Sequence, residues 1–175
     1  MPTATGTSQT AASPAAVPET PDATPVATTD PFPQPACPGP DQAAAPPEIL
    51  AHVDGGPAIT ATSGSSTTMT CSTTGVTDVV GRSPDTPLLA DPGDVITLTV
   101  PAGWAFTRWE GFDAPVQGEG ANVWPPTTVA GRPRSIDVPV PLRSGDSILG
   151  LTVVLISDDE RTVVEQALEL LVRVG

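Results

Sequence analysis

Lysine and tyrosine are absent from this 175-residue chain, histidine occurs once and cysteine twice. Each scarcity closes off chemistry. With a single histidine, His52, and no G-x-S-x-G, H-E-x-x-H or C-x-x-C spacing, neither a nucleophile–base triad nor a zinc site is expected. His52 falls inside a strand-like run and reads as a partly exposed strand residue. Positive charge is also scarce: seven arginines stand against twenty acids, for a net charge of −13. A surface this acidic repels phosphate backbones, so nucleic acid is not an expected partner. Long apolar runs are missing too. The longest candidate, Ile148 to Ile156, falls far short of the roughly 20 residues a membrane-spanning helix needs. No membrane-spanning segment and no cofactor are expected.

What is present divides near residue 47. Residues 1–47 are dominated by Pro, Thr and Ala, contain no arginine, and carry only four acids, Glu19, Asp22, Asp30 and Asp41. Such a composition cannot bury enough apolar surface to offset about 1–2 kcal/mol of backbone entropy per ordered residue. It predicts a disordered stalk with locally extended polyproline stretches. Ser13-Pro14 and Thr24-Pro25 resemble O-glycosylated stalk sequence, and Phe32 is the one aromatic there, placed to touch a folded domain. Residues 48–175 alternate short apolar runs with Gly, Asp and Pro and are predicted to form one domain, of ordinary single-domain length. Met1 to Thr5 has neither a basic nor an apolar leader character, and Pro33 to Ala36 before Cys37 is not a lipobox, so no export signal is visible. The stalk nevertheless argues for an extracytoplasmic location, with the export segment lost from the sequence.

Cys37 and Cys71 are consistent with one disulfide formed in an oxidising compartment, tying the end of the stalk to the domain. Two free thiols, one exposed and one buried, are the alternative.

The folded part reads mainly as strands. Ile49 to Val53 ends at Asp54-Gly55-Gly56-Pro57, a strong turn signal. Ile59 to Thr62 and Thr67 to Thr73 are Thr-rich candidates for edge strands. Asp91-Pro92-Gly93-Asp94 turns into Val95 to Val100, where Ile96, Leu98 and Val100 share a face. Trp104 to Trp109 follows, then a Gly/Pro-rich loop from Gly111 to Arg134. Ser135 to Val140 alternates again, and Pro139 and Pro141 confine it to a sheet edge or bulge. Ile148 to Ile156, apolar on both sides, belongs at the centre. The segment 162–174 fits a strand better than a helix, with Ser157-Asp158-Asp159-Glu160 as a hairpin loop; the same four residues also read as a helix capping box. About seven short strands with frequent turns predict an all-β, antiparallel sandwich.

Gly93-Asp94-Val95-Ile96-Thr97-Leu98-Thr99-Val100, the Trp-bearing strand, and Gly145-Asp146-Ser147-Ile148-Leu149-Gly150-Leu151-Thr152-Val153 resemble a bacterial immunoglobulin-like or PKD-like surface domain over Asp91 to Val174. In such domains Gly-Asp opens strands B and F and a Trp sits on strand C. The resemblance implies an immunoglobulin-like β-sandwich. It departs from that pattern in having no tyrosine corner, and Cys37 and Cys71 lie off the B and F strands.

Three sets of residues remain as candidates for chemistry or binding. Glu110 with Asp113 is the nearest thing to a paired-carboxylate acid/base site, and adjacent turn acids are usually solvated. Asp158, Asp159 and Glu160, or Asp91 and Asp94, are weak calcium candidates that lack the EF-hand spacing, so no metal site is expected. Trp104, Trp109 and Trp124 are candidates for an aromatic sugar platform. In a regular strand Trp104 and Phe106 face one side and Trp109 the other, unless a bulge turns one of them. The expected function is non-catalytic: an extracytoplasmic interaction, adhesion or spacer module meeting a protein or polysaccharide partner, with recognition expected in the 111–134 loop. A carbohydrate-binding module using the exposed tryptophans is the alternative.

Overall fold

A computed structural model describes residues 33–37, 44–79 and 83–175. The stalk expected over residues 1–47 therefore lies largely outside the described residues, as does Phe32. The described residues form eleven strands and no helix. In order these are β1 (Leu50–Val53), β2 (Ile59–Thr60), β3 (Thr62–Met69), β4 (Thr74–Thr77), β5 (Leu88–Ala90) and β6 (Val95–Thr99). Then come β7 (Trp104–Pro115), β8 (Asn122–Thr128), β9 (Ser135–Pro139), β10 (Gly145–Ser157) and β11 (Val163–Val174). One sheet runs β2-β1-β6-β9; the other runs β4-β3-β11-β10-β7-β8, with β5 added beside β11. Every pairing is antiparallel except β5 against β11.

Alternation explains the packing. On β6, Ile96 and Leu98 are fully buried, while Thr97 and Thr99 face out and bond across to β9. The Thr97 hydroxyl donates to Asp137 Oδ1 at 3.0 Å, and the Thr99 and Ser135 hydroxyls lie 3.0 Å apart. Such cross-strand pairs contribute roughly 0.2–1 kcal/mol each. Ile136 and Val138 of β9 turn inward beside them, and Pro139 ends this edge strand where no ladder donor is needed. The same inward set continues on the larger sheet with Leu149, Leu151, Val153 and Leu155 of β10 and Leu168, Leu170 and Val172 of β11, forming one core between the sheets. β10 lies between β7 and β11, as its two-sided apolar character predicts.

The helical option for residues 162–174 is closed. β11 pairs with β10 without a break from Gly145↔Val174 to Ile156↔Val163. Ser157 to Arg161 forms the hairpin connection, closed by the Ser157 N–H donating to the Thr162 carbonyl at 2.9 Å.

Two sequence expectations need correction. Gly111 to Arg134 is not one loop: β7 runs on to Pro115 and pairs with β8, leaving residues 116–121 as the connection. Gly111 serves close approach instead of a turn, since a Cβ there would lie 2.5 Å from the Gly150 carbonyl oxygen. Pro125 and Pro126 are tolerated because β8 is an edge strand and its pairing with β7 is interrupted at these two residues, between Gly111↔Trp124 and Trp109↔Thr127. Nor is Thr67 to Thr73 one strand. β3 starts at Thr62 and ends at Met69, and Thr70 to Thr73 is a turn in which the two threonine hydroxyls meet at 2.8 Å.

A bulge in β7 decides where the tryptophans point. Phe106 sits opposite Leu155 and Arg108 opposite Val154, which leaves Thr107 as an extra residue. Its hydroxyl donates to the Val154 carbonyl at 3.0 Å. The parity of the strand therefore flips, and Trp109 joins Trp104 and Phe106 in packing toward the inter-sheet core.

Cys37 and Cys71 are bonded, with Cα atoms 5.5 Å apart. The bridge fastens residues 33–37 near the hairpin connection, where the Ala36 N–H donates to the Glu160 carbonyl at 2.6 Å. Contact with the sandwich therefore begins before the compositional break at residue 47.

Candidate functional site

The larger sheet has two faces with different fates. One packs on the four-stranded sheet. On the other, Glu110 and Phe112 (β7), Gly150 and Thr152 (β10), and Ala167 and Glu169 (β11) come together by register: Phe112↔Gly150↔Glu169 and Glu110↔Thr152↔Ala167. They bound a mainly apolar cleft of about 450 Å³. Its floor is low because Ala167 offers almost no side chain and the missing side chain of Gly150 lets the Phe112 ring lie over that position; Gly64 of β3 extends it, with a Cβ there meeting the Ala167 Cβ at 3.5 Å. One wall is the Phe112 ring, which leans across the strand so far that a Cβ on Gly150 would come within 2.5 Å of it. Val123 stands directly opposite Phe112 on β8 and completes that wall. Both are exposed, Phe112 by 43% and Val123 by 75%.

The rim is acidic. Glu110 accepts from the Arg108 guanidinium at 3.0 Å, which offsets its charge. Glu169 lines the cleft, and Glu165 lies beyond Ala167 on the same face of β11, outside the lining; neither makes an ion pair among the described residues.

The predicted site residues are distributed differently. Trp109 and Trp124 meet edge to face, with ring centroids 6.4 Å apart and planes at 62°. Both are half-buried and pack against the inter-sheet core with Val129. Trp104 lies apart from them, buried in that core. Two rings at such an angle shield part of one another's faces and do not form a flat platform.

Glu110 and Asp113 do not converge. Glu110 lies opposite Thr152 on the outer face, whereas Asp113 lies opposite Leu149 on the core face and is fully buried. Asp158, Asp159 and Glu160 occupy the β10–β11 connection, where two of the three carboxylates serve the turn or an ion pair. Asp159 Oδ1 accepts from the Ser157 hydroxyl at 2.6 Å and from the Arg161 N–H at 3.1 Å. Those bonds hold its carboxyl below the usual carboxylate range. Glu160, in the left-handed region at φ 60°, pairs with Arg132. Asp94 Oδ2 accepts from the Asp91 N–H at 2.8 Å, closing the turn before β6. Among the described residues, no three His, Cys, Asp or Glu side chains are grouped to share a metal ion. His52 is half-buried on β1 opposite Thr97, on the four-stranded sheet and away from the cleft.

Sequence reasoning missed the cleft and the environment of Asp113. The cleft was signalled by glycines inside strands, which mark close approach as well as turns. The buried Asp113 carboxylate lies 3.1 Å from Arg143 Nη2, and Arg143 Nη1 donates to the Gly120 carbonyl at 3.2 Å. This guanidinium thus joins the 116–121 connection to the residues just before β10.

No family model and no curated protein matches the chain.

Proposed function

We infer that the protein is a non-catalytic interaction, adhesion or spacer module, an immunoglobulin-like β-sandwich working outside the cytoplasm on an N-terminal stalk. The observation that carries this reading is the apolar cleft on the outer face of the seven-stranded sheet, with Phe112 and Val123 exposed beside it. Exposed apolar side chains grouped beside an apolar cleft are characteristic of interaction surfaces.

Two further observations support it. Labelling β1, β6 and β9 as A, B and E, and β7, β10 and β11 as C, F and G, gives an A-B-E sheet facing a C-F-G sheet. Gly93-Asp94 then leads into B, Gly145-Asp146 opens F, and Trp104 opens C. The Cys37–Cys71 bridge supports an extracytoplasmic location, because disulfides persist in oxidising compartments. The test is fractionation of cells that make the protein, followed by thiol labelling of denatured, unreduced material. Protein recovered outside the cytoplasm with no reactive thiol is the expected result; a cytoplasmic pool with two labelled cysteines contradicts it.

A carbohydrate-binding reading rests on the Trp109–Trp124 contact. Retention on a polysaccharide, abolished by Trp124→Ala, would favour it, and no retention across a broad glycan panel would remove it.

A further inference from the structure

Building on the reading of the sandwich as an interaction module, we propose that the cleft on its seven-stranded sheet docks an extended, basic peptide segment of a partner protein. An apolar side chain of that segment rests on Ala167, beside the Phe112 ring and Val123. Basic side chains on either side of it meet Glu165 and Glu169.

Charge selects this occupant. Along β11 the outward positions read Glu165, Ala167, Glu169, an apolar floor residue between two carboxylates. Neither carboxylate has an ion-pair partner among the described residues, whereas the neighbouring Glu110 is offset by Arg108. Residues four apart on a strand are separated by roughly 13 Å, the spacing of two basic residues flanking an apolar one in an extended peptide. The net charge of −13 steers cations toward the molecule and opposes a second copy of the chain on the same face. Polysaccharide is disfavoured, because the apolar floor would leave sugar hydroxyls without partners.

The experiment is an amide-shift titration of the isotope-labelled full chain with blocked Arg-Thr-Leu-Thr-Arg. Parallel titrations use Glu-Thr-Leu-Thr-Glu and Arg-Thr-Ser-Thr-Arg. Saturable shifts are expected at Glu110–Phe112, Gly150–Thr152 and Ala167–Glu169, with the four-stranded sheet unmoved. Affinity for the first peptide should fall about tenfold between low salt and roughly 0.3 M salt. It should fall by a comparable factor in the Glu165→Gln, Glu169→Gln double variant, whose unchanged spectrum elsewhere shows that it folds. Cleft shifts equally strong with the acidic or the serine peptide overturn the basic-peptide assignment while leaving an interaction module. Shifts of the same amides on concentrating the protein alone assign the face to a second copy and also overturn it. Silence at this face with the first peptide overturns the docking assignment, while the module reading stands or falls on the fractionation and thiol test.

Discussion

At the scale of single residues, the tightest constraint lies where a strand admits no side chain. A Cβ at position 111 would meet the Gly150 carbonyl oxygen at 2.5 Å and Leu151 Cδ2 at 2.6 Å. Backbone cannot step aside as a side-chain tip can, so Gly111→Ala should destabilise the fold by about 2–3 kcal/mol in a denaturant melt. Gly75→Ala, with nothing within 4 Å of the added atom, is the control and should move stability by no more than about 0.5 kcal/mol. Arg143 is the second such residue. Removing it strands the buried Asp113 carboxylate, so Arg143→Ala should cost about 2–3 kcal/mol, discounted for the partial exposure of the guanidinium. Adding Asp113→Asn should return part of that loss in a double-mutant cycle. A milder dependence follows from Asp146, whose carboxylate accepts two bonds from Arg173 and titrates below its usual range for that reason. A depressed carboxylate stabilises the fold above its unfolded value near pH 4 and loses that contribution as pH falls through the lower folded value. The stability difference between wild type and Asp146→Asn, measured by denaturant melts, should therefore be present at pH 6 and shrink steadily toward pH 2.

At the scale of elements, strands with regular alternation could be read directly from sequence, and irregular ones could not. β6 and β9 show strict period-2 patterning, which gave their buried faces; the edge position of β9 followed from Pro139 and Pro141, and the central position of β10 from its two-sided apolar run. The strand reading of 162–174, with Ser157-Asp158-Asp159-Glu160 as its hairpin loop, is met by the unbroken β10–β11 ladder. The β7–β8 hairpin was hidden because Gly111, Pro125 and Pro126 are turn formers in isolation; only the register shows that one permits close approach and the others sit on an edge. The cleft was hidden for the same reason, since a glycine floor becomes visible only when three strands lie side by side. The cysteines were the opposite case: two residues and their separation sufficed to suggest the bridge. That bridge closes 34 positions of chain, and replacing both Cys37 and Cys71 with serine should lower stability by about 3 kcal/mol in an equilibrium melt. An unchanged midpoint would mean that residues 33–37 are held by their other contacts alone.

At the scale of the whole molecule, the two sheets are unequal and the inequality creates the site. The outer face of the larger sheet is buried at one end around Ala105, Val154, Ile156 and Val163, and at the other it carries Phe112, Val123 and the carboxylates of β11. The opposite surface, outside β6, carries Val95 at comparable exposure but alternates there with Thr97 and Thr99. The two positions thus differ in surroundings more than in accessibility, which makes them a matched pair. The most direct measurement places a photo-crosslinking phenylalanine analogue at position 112 in one sample and at position 95 in another, in cells that make the protein. A discrete adduct from position 112 with none from position 95 is the expected result; an adduct from position 95 with none from position 112 would contradict the assignment of the binding face.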